Sequence, residues 1–151
     1  LAKQGMSAAQ IASELDDAKC RIRLVALLYT LEYLQKGGRI SKTAAFAGGV
    51  LFKPVVAIQD GAVAVLGKAR GSKKGNNLLI QQVKEAGGID FDMPFFLGYT
   101  GLGYDLVRKY VEDSRELWEG HVESVGYSTV GGTIGTHVGP GAVALAFFAK
   151  Q

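Results

Sequence analysis

The chain closes on an unbroken apolar run, AVALAFFA at residues 142–149. Eight such residues are far short of the roughly 20 needed to cross a bilayer. They also leave no polar face to offer to water. A short apolar run bounded by Gly and Pro reads as a strand with cover on both sides, so the chain is expected to build a sheet with helices packed against it. Upstream, the runs at 52–58 and 62–68 are joined by Asp60-Gly61, a good hairpin signal. Pro54 has no N–H for a ladder and points its strand toward an edge or an early strand position. Further strands are expected at 22–28, 94–99 and 122–127.

Between these runs the apolar period changes to that of a helix. Ser7 and Gln10 form a capping-box pattern ahead of Ile11, Leu15 and Ala18, which predicts a helix over 7–19. Thr30 can cap a short helix over 31–35, ended by Gly37-Gly38, and another short helix is expected over 42–48. Ser72 can cap a helix to about residue 86, with Leu78, Leu79 and Val83 on one face. Leu106, Val107, Tyr110 and Val111 mark a helix over 104–117, and a helical turn is expected at 131–135. Strands and helices alternate around one hairpin, so the predicted fold is α/β (α+β), a mixed β-sheet covered by helices.

Charge and cysteine content narrow the function. The net charge of +3 is mild, and neither a basic stripe nor a helix-turn-helix pattern is present, which argues against nucleic acid as a partner. The single cysteine, Cys20, cannot form an internal disulfide, and no signal-peptide pattern opens the chain, so the expected location is cytoplasmic. The start at Leu1, without a methionine, reads as a fragment or a processed product. Glycine is the compositional outlier, with 21 residues, about twice the usual share.

Several glycine-rich segments approach known chemical motifs and miss them. In Gly67-Lys-Ala-Arg-Gly71-Ser-Lys-Lys only three residues separate the glycines, where a P-loop needs four. Gly98-Tyr-Thr-Gly101-Leu-Gly103 follows a strand but inverts the glycine order of a dinucleotide loop. Gly126-Tyr-Ser128-Thr-Val-Gly131 has one residue too many for a nucleophile elbow. His121, His137 and Cys20 have no metal-ligand spacing. Three places stand out. His137 lies in Gly135-Thr-His-Val-Gly-Pro-Gly141, where backbone N–H groups and an imidazole could reach an anion together; a glycine-rich turn with a hydrogen-bonded histidine is the alternative. Arg39 directly follows Gly37-Gly38, and Arg70, Lys73 and Lys74 gather at an expected helix start.

Three segments in order carry a family likeness: TLEYLQKGGRIS at 30–41, LFKPVVAIQDGAVAVLGKARGSKK at 51–74 and VGGTIGTHVGPGAVALAFF at 130–148. Together they resemble the C-terminal half of the DegV family, whose members include the acyl-binding subunits of bacterial fatty-acid kinases. The resemblance implies a two-domain protein with a fatty acid held at the domain junction. Residues 29–151 would then be the C-terminal domain, and residues 1–28 a remnant helix and strand leading from a missing N-terminal domain that supplies hydroxyl ligands to the carboxylate. It implies His137, with Thr136 and Gly139, beside the head group, and Arg39 and Arg70 at the docking surface for a fatty-acid kinase subunit. Phe46, Leu51, Phe52, Phe95 and Phe96 are candidate linings for the acyl tunnel.

On this reading the protein is a carrier of an acid such as palmitate or stearate. It has no cofactor or metal and no catalytic residues of its own, and touches the membrane peripherally or transiently at most. About fourteen buried methylenes at ~0.8 kcal/mol each supply on the order of 11 kcal/mol before ordering costs. An exposed apolar face is expected where the second domain would sit. The alternatives are a small-molecule enzyme using His137 as acid or base, and a non-catalytic interaction module.

Overall fold

The computed structural model describes residues 1–41 and 52–150. The helix expected over 42–48 and the candidate lining residues Phe46 and Leu51 lie outside the described residues. The first helix, α1 (Ala8–Ala18), starts on the expected capping box. The Ser7 hydroxyl accepts from the Gln10 N–H, and the Ser7 N–H donates to Gln10 Oε1 at 2.9 Å. None of the residues of α1 is buried.

A six-stranded mixed sheet forms the centre, in the order β3-β2-β1-β6-β4-β5. Its members are β1 (Ile22–Leu27), β2 (Phe52–Gln59), β3 (Ala62–Arg70), β4 (Phe96–Tyr99), β5 (Tyr127–Thr129) and β6 (Val143–Phe148). All neighbours are antiparallel except β4 and β5. The strand expected near the start of the chain is therefore an interior member of the sheet, hydrogen-bonded to β2 on one side and β6 on the other. At the hairpin between β2 and β3, Asp60 (φ 50°) and Gly61 (φ 78°) both adopt the left-handed conformation, and Gln59 pairs with Ala62. This is the two-residue turn whose twist suits a hairpin.

Helices cover the two faces unequally. On one face lie α3 (Ser72–Glu85), α4 (Asp105–Asp113) and α5 (Arg115–Trp118). They enclose the larger core, in which Leu79, Val83, Val107 and Tyr110 meet Val25, Val55, Leu97, Leu145 and Phe147. The opposite face carries α2 (Glu32–Lys36) and α6 (Gly132–Val138), over a smaller core of Ala26, Leu28, Leu31, Leu34, Val56 and Ala142. The closing strand shows the inequality. Val143, Leu145 and Phe147 are buried, whereas Ala144, Ala146 and Phe148 on the other face are only half-buried.

Several local expectations are corrected. Of the two positions expected for Pro54, the early one holds, as the third residue of β2, and the edge does not, because β1 and β3 flank the strand. Pro54 is tolerated because β1 pairs with β2 only from Val55 onward, and its carbonyl accepts from Leu28 N–H at 2.9 Å. Thr30 accepts from Glu32 N–H at 3.2 Å, one position before the true N-cap, Leu31. Ser72 is the first residue of α3 and not its cap; Gly71, at φ 83°, takes the cap position. The helix over 104–117 breaks at Ser114, which is fully buried. Its hydroxyl donates to the Tyr110 carbonyl at 2.5 Å and accepts from Trp118 Nε1 at 2.8 Å, which bends the backbone between α4 and α5. The strand expected over 122–127 is found instead at Tyr127–Thr129, sharing only Tyr127. Val122 and Val125 both pack on the larger core, and an odd spacing cannot put two side chains on one face of a strand.

Candidate functional site

The region around His137 is built where α2 meets α6. Expected in a loop, His137 instead occupies the last turn of α6, and only Gly139 (φ 75°), Pro140 and Gly141 (φ 80°) form the turn into β6. The two glycines after α2 have separate functions. Gly38 adopts φ 72°, its N–H donating to Gln35 O while Arg39 N–H donates to Leu34 O at 2.8 Å, a closed Schellman turn. Gly37 is needed for its missing side chain, since a Cβ there would collide with His137 Nδ1. Gly139 plays the same part for Tyr33, whose ring lies where a Cβ would stand. Bare backbone on each helix thus accepts a ring from the other.

Arg39 joins this assembly. Its side chain is exposed, and its guanidinium donates to the Gly37 carbonyl at 2.6 Å. The structure therefore brings Arg39 and His137 to the same glycine, on a turn that is closed and not loose. Thr136 is exposed and donates to the Gly132 carbonyl of its own helix at 2.8 Å, and Gly139 is buried. Arg70 stands apart at the end of the edge strand β3, exposed, opposite Phe52.

Two residues that sequence reasoning passed over hold this end of the sheet. Thr100 is buried just after β4, in the segment weighed as a dinucleotide loop. Its hydroxyl donates to Gly139 O at 2.5 Å and accepts from Ala142 N–H at 2.9 Å, while its carbonyl accepts from Gly141 N–H. This ties the turn after His137 to β4. A lone Thr between glycines at a strand end was the available signal. Lys53 places its ammonium 4.1 Å from the centroid of the Tyr29 ring, and burial lowers its pKa.

The expected exposed apolar face is present. Alternation puts Ile22 and Leu24 of β1, Ile58 of β2 and Phe96 of β4 on the sheet face that carries α2 and α6. They remain 48, 37, 47 and 48% exposed, beside half-buried Ala146 and Phe148. This stripe lies beyond the α2–α6 cover, toward the end of the sheet away from His137. Phe52, also exposed, is on the same face by alternation. Phe95 is not: it packs into the larger core, 5.7 Å from both the Phe91 and Trp118 rings. His121 stacks on Phe91 at 4.4 Å, beside a polar cleft that includes the Arg21–Asp90 ion pair. Among the described residues no cluster of His, Cys, Asp or Glu could hold a metal, and no helix is long and apolar enough to cross a membrane.

A mixed six-stranded sheet with helices on both faces makes this an α/β fold. The DegV family model, described as an uncharacterised protein family, matches residues 1–150, and the chain belongs to that family. A DegV domain-containing protein of Caldanaerobacter subterraneus subsp. tengcongensis is 32% identical over 99% of this chain and 53% of its own length. A solved Thermus thermophilus structure, described as fatty acid binding of a DegV family protein, is 27% identical with a TM-score of 0.78, covering 99% of this chain and 53% of that one. A fat acid (stearic acid)-binding protein from Eubacterium ventriosum is 26% identical, with a TM-score of 0.75, covering 95% of this chain and 50% of that one. The chain spans about half the length of the curated relatives it matches.

Proposed function

We propose that this chain is the acyl-holding half of a fatty-acid carrier. Its tail site is the open apolar stripe, and its head-group site is the corner at His137. The observation that carries this reading is the stripe itself: large apolar side chains left in water on one sheet face, on the side where α6 presents His137. Isolated exposed apolar residues are ordinary, but several gathered on one sheet face mark a binding surface. The length also suits. The six residues of β6 span about 20 Å, close to an extended palmitate chain. Solved relatives described as binding fatty acid or stearic acid support the ligand class.

At the head, a carboxylate leaving water needs donors. The imidazole of His137, beside Thr136 and Gly139, supplies part of the set, and an N-terminal domain supplies the rest through hydroxyl groups. Arg39 and Arg70, both exposed cations, face a fatty-acid kinase subunit that phosphorylates the presented carboxylate. The protein works in the cytoplasm as a carrier and contributes no catalytic group. Native mass spectrometry of the freshly purified intact protein tests the reading. Co-purified palmitate or stearate is expected, and Phe96→Asp, which places a charge in the tail path, should weaken binding at least about tenfold, or ~1.4 kcal/mol. A protein that carries no lipid and takes up none in titration would overturn it.

A further inference from the structure

The end of the sheet that carries His137 also bears an exposed apolar patch. The loop Gly101-Leu102-Gly103 leaves β4 with Gly101 at φ 108°, and Leu102 at its tip is fully exposed. Just before it, the Thr100 carbonyl accepts from Gly141 N–H at 2.9 Å, so the loop stands on the turn after His137. Leu106 and Tyr29 flank the same turn, 3.3 and 3.7 Å from where a Cβ at Gly141 would stand. Tyr29, Leu102, Tyr104 and Leu106 are all exposed, and so is Pro140.

Cations surround these side chains. The Lys53 ammonium lies 4.1 Å from the Tyr29 ring centroid, and among the described residues it pairs with no carboxylate. Arg108 lies 5.7 Å from the Tyr104 ring and is paired with Asp105. Lys109 and Lys73 both act on Asp113. Four cations therefore meet two carboxylates, an excess of two positive charges. Glu32, three residues beyond Tyr29, is matched by Lys36.

We propose that this patch docks the protein on an anionic bilayer surface, with Leu102 entering the lipid interface. A leucine bare on every side of a loop tip suits a fluid medium, which needs no matching pocket. Tyrosines suit the level of the head groups, with the ring toward the lipid and the hydroxyl in water. Apolar side chains among cations are the composition of a surface that lies on a membrane without crossing it. The inference rests on the carrier reading for its purpose: long-chain acids leave water for membranes, and a carrier that exchanges them must touch the bilayer. Its geometry is separate from the apolar stripe, so the two are tested apart.

The test is sedimentation of the intact protein with vesicles of phosphatidylcholine alone and of phosphatidylcholine mixed with phosphatidylglycerol, beside a palmitate titration without vesicles. Binding is expected on the mixed vesicles and should be much weaker on phosphatidylcholine. Leu102→Ser should weaken vesicle binding about tenfold, or ~1.4 kcal/mol. Lys53→Gln should weaken it about fivefold, or ~1 kcal/mol, on the mixed vesicles only. Both variants should leave palmitate affinity unchanged. Leu102→Trp, at the same exposed tip, should gain affinity, with its emission shifted to the blue on the mixed vesicles. Vesicle binding that is absent, or unchanged by Leu102→Ser, would overturn the proposal. Loss of kinase binding in Leu102→Ser with vesicle binding intact would also overturn it, and would give the patch to a protein partner. If palmitate binds and vesicles do not, only this inference fails. If vesicles bind and no acid does, only the carrier reading fails.

Discussion

At the scale of single residues, the histidine corner depends on what is missing from Gly37. Gly37 has φ −77°, which any residue adopts, so alanine there would meet no backbone strain. It would meet His137, because the new Cβ would collide with Nδ1. Gly37→Ala should therefore cost about 1–3 kcal/mol, as overpacking does. His137→Ala in the same chain should return most of that loss, since the obstacle is then gone. Urea titrations of the two single variants and the double variant measure the coupling. An additive cycle would mean that the imidazole moves aside freely and the corner is not rigid.

At the scale of elements, α3 and α4 are joined by a polar clamp beside the larger core. Buried Asn76 of α3 donates to Asp113 Oδ2 at 2.7 Å, and Lys109 lies 3.2 Å from Asp113 Oδ1. Burial pushes the Asp113 carboxyl up. The hydrogen bonds from Asn76 and Lys109, with the charges of Lys109 and Lys73, more than offset it and leave the carboxyl below its ordinary value near 3.8. The unfolded chain then takes up this proton before the folded one does. The clamp's contribution is complete above that ordinary value and is lost as pH falls through the lower folded value. Asp113→Asn should therefore flatten the acid limb of stability between about pH 5 and pH 2, read as the urea midpoint. An unchanged limb would assign acid sensitivity to other carboxylates.

At the scale of the whole molecule, the larger core is closed and the other face is half open. The two exposed arginines stand at different places around the His137 end, Arg39 on the turn after α2 and Arg70 at the end of β3. If the chain is part of a fatty-acid carrier served by a kinase, as proposed, Arg39→Ala and Arg70→Ala in the intact protein should leave lipid affinity nearly unchanged and slow phosphorylation. On the same proposal His137→Ala should slow acyl-phosphate formation more than it weakens binding, because burial of a long tail would dominate affinity. Lipid titrations paired with kinase assays check this. Equal loss of lipid binding in the arginine variants would place them on the ligand instead.

Local chemistry was legible in the residues themselves. The capping box at Ser7, the Asp60-Gly61 turn and the apolar closing strand each depend on groups a few positions apart, so their patterns survive without a fold. The family likeness was legible for the same reason, as short segments in fixed order. The break at Ser114 was not, because it comes from a buried hydroxyl shared by Tyr110 and Trp118. The placement of His137 on a helix also escaped, since helix-poor glycines there are offset by packing against α2. Nor could residue types separate Phe96 from Phe95, adjacent and alike, one facing water and one the core. Alternation along a strand sends neighbours to opposite faces, and only the assembled helices decide which face stays open.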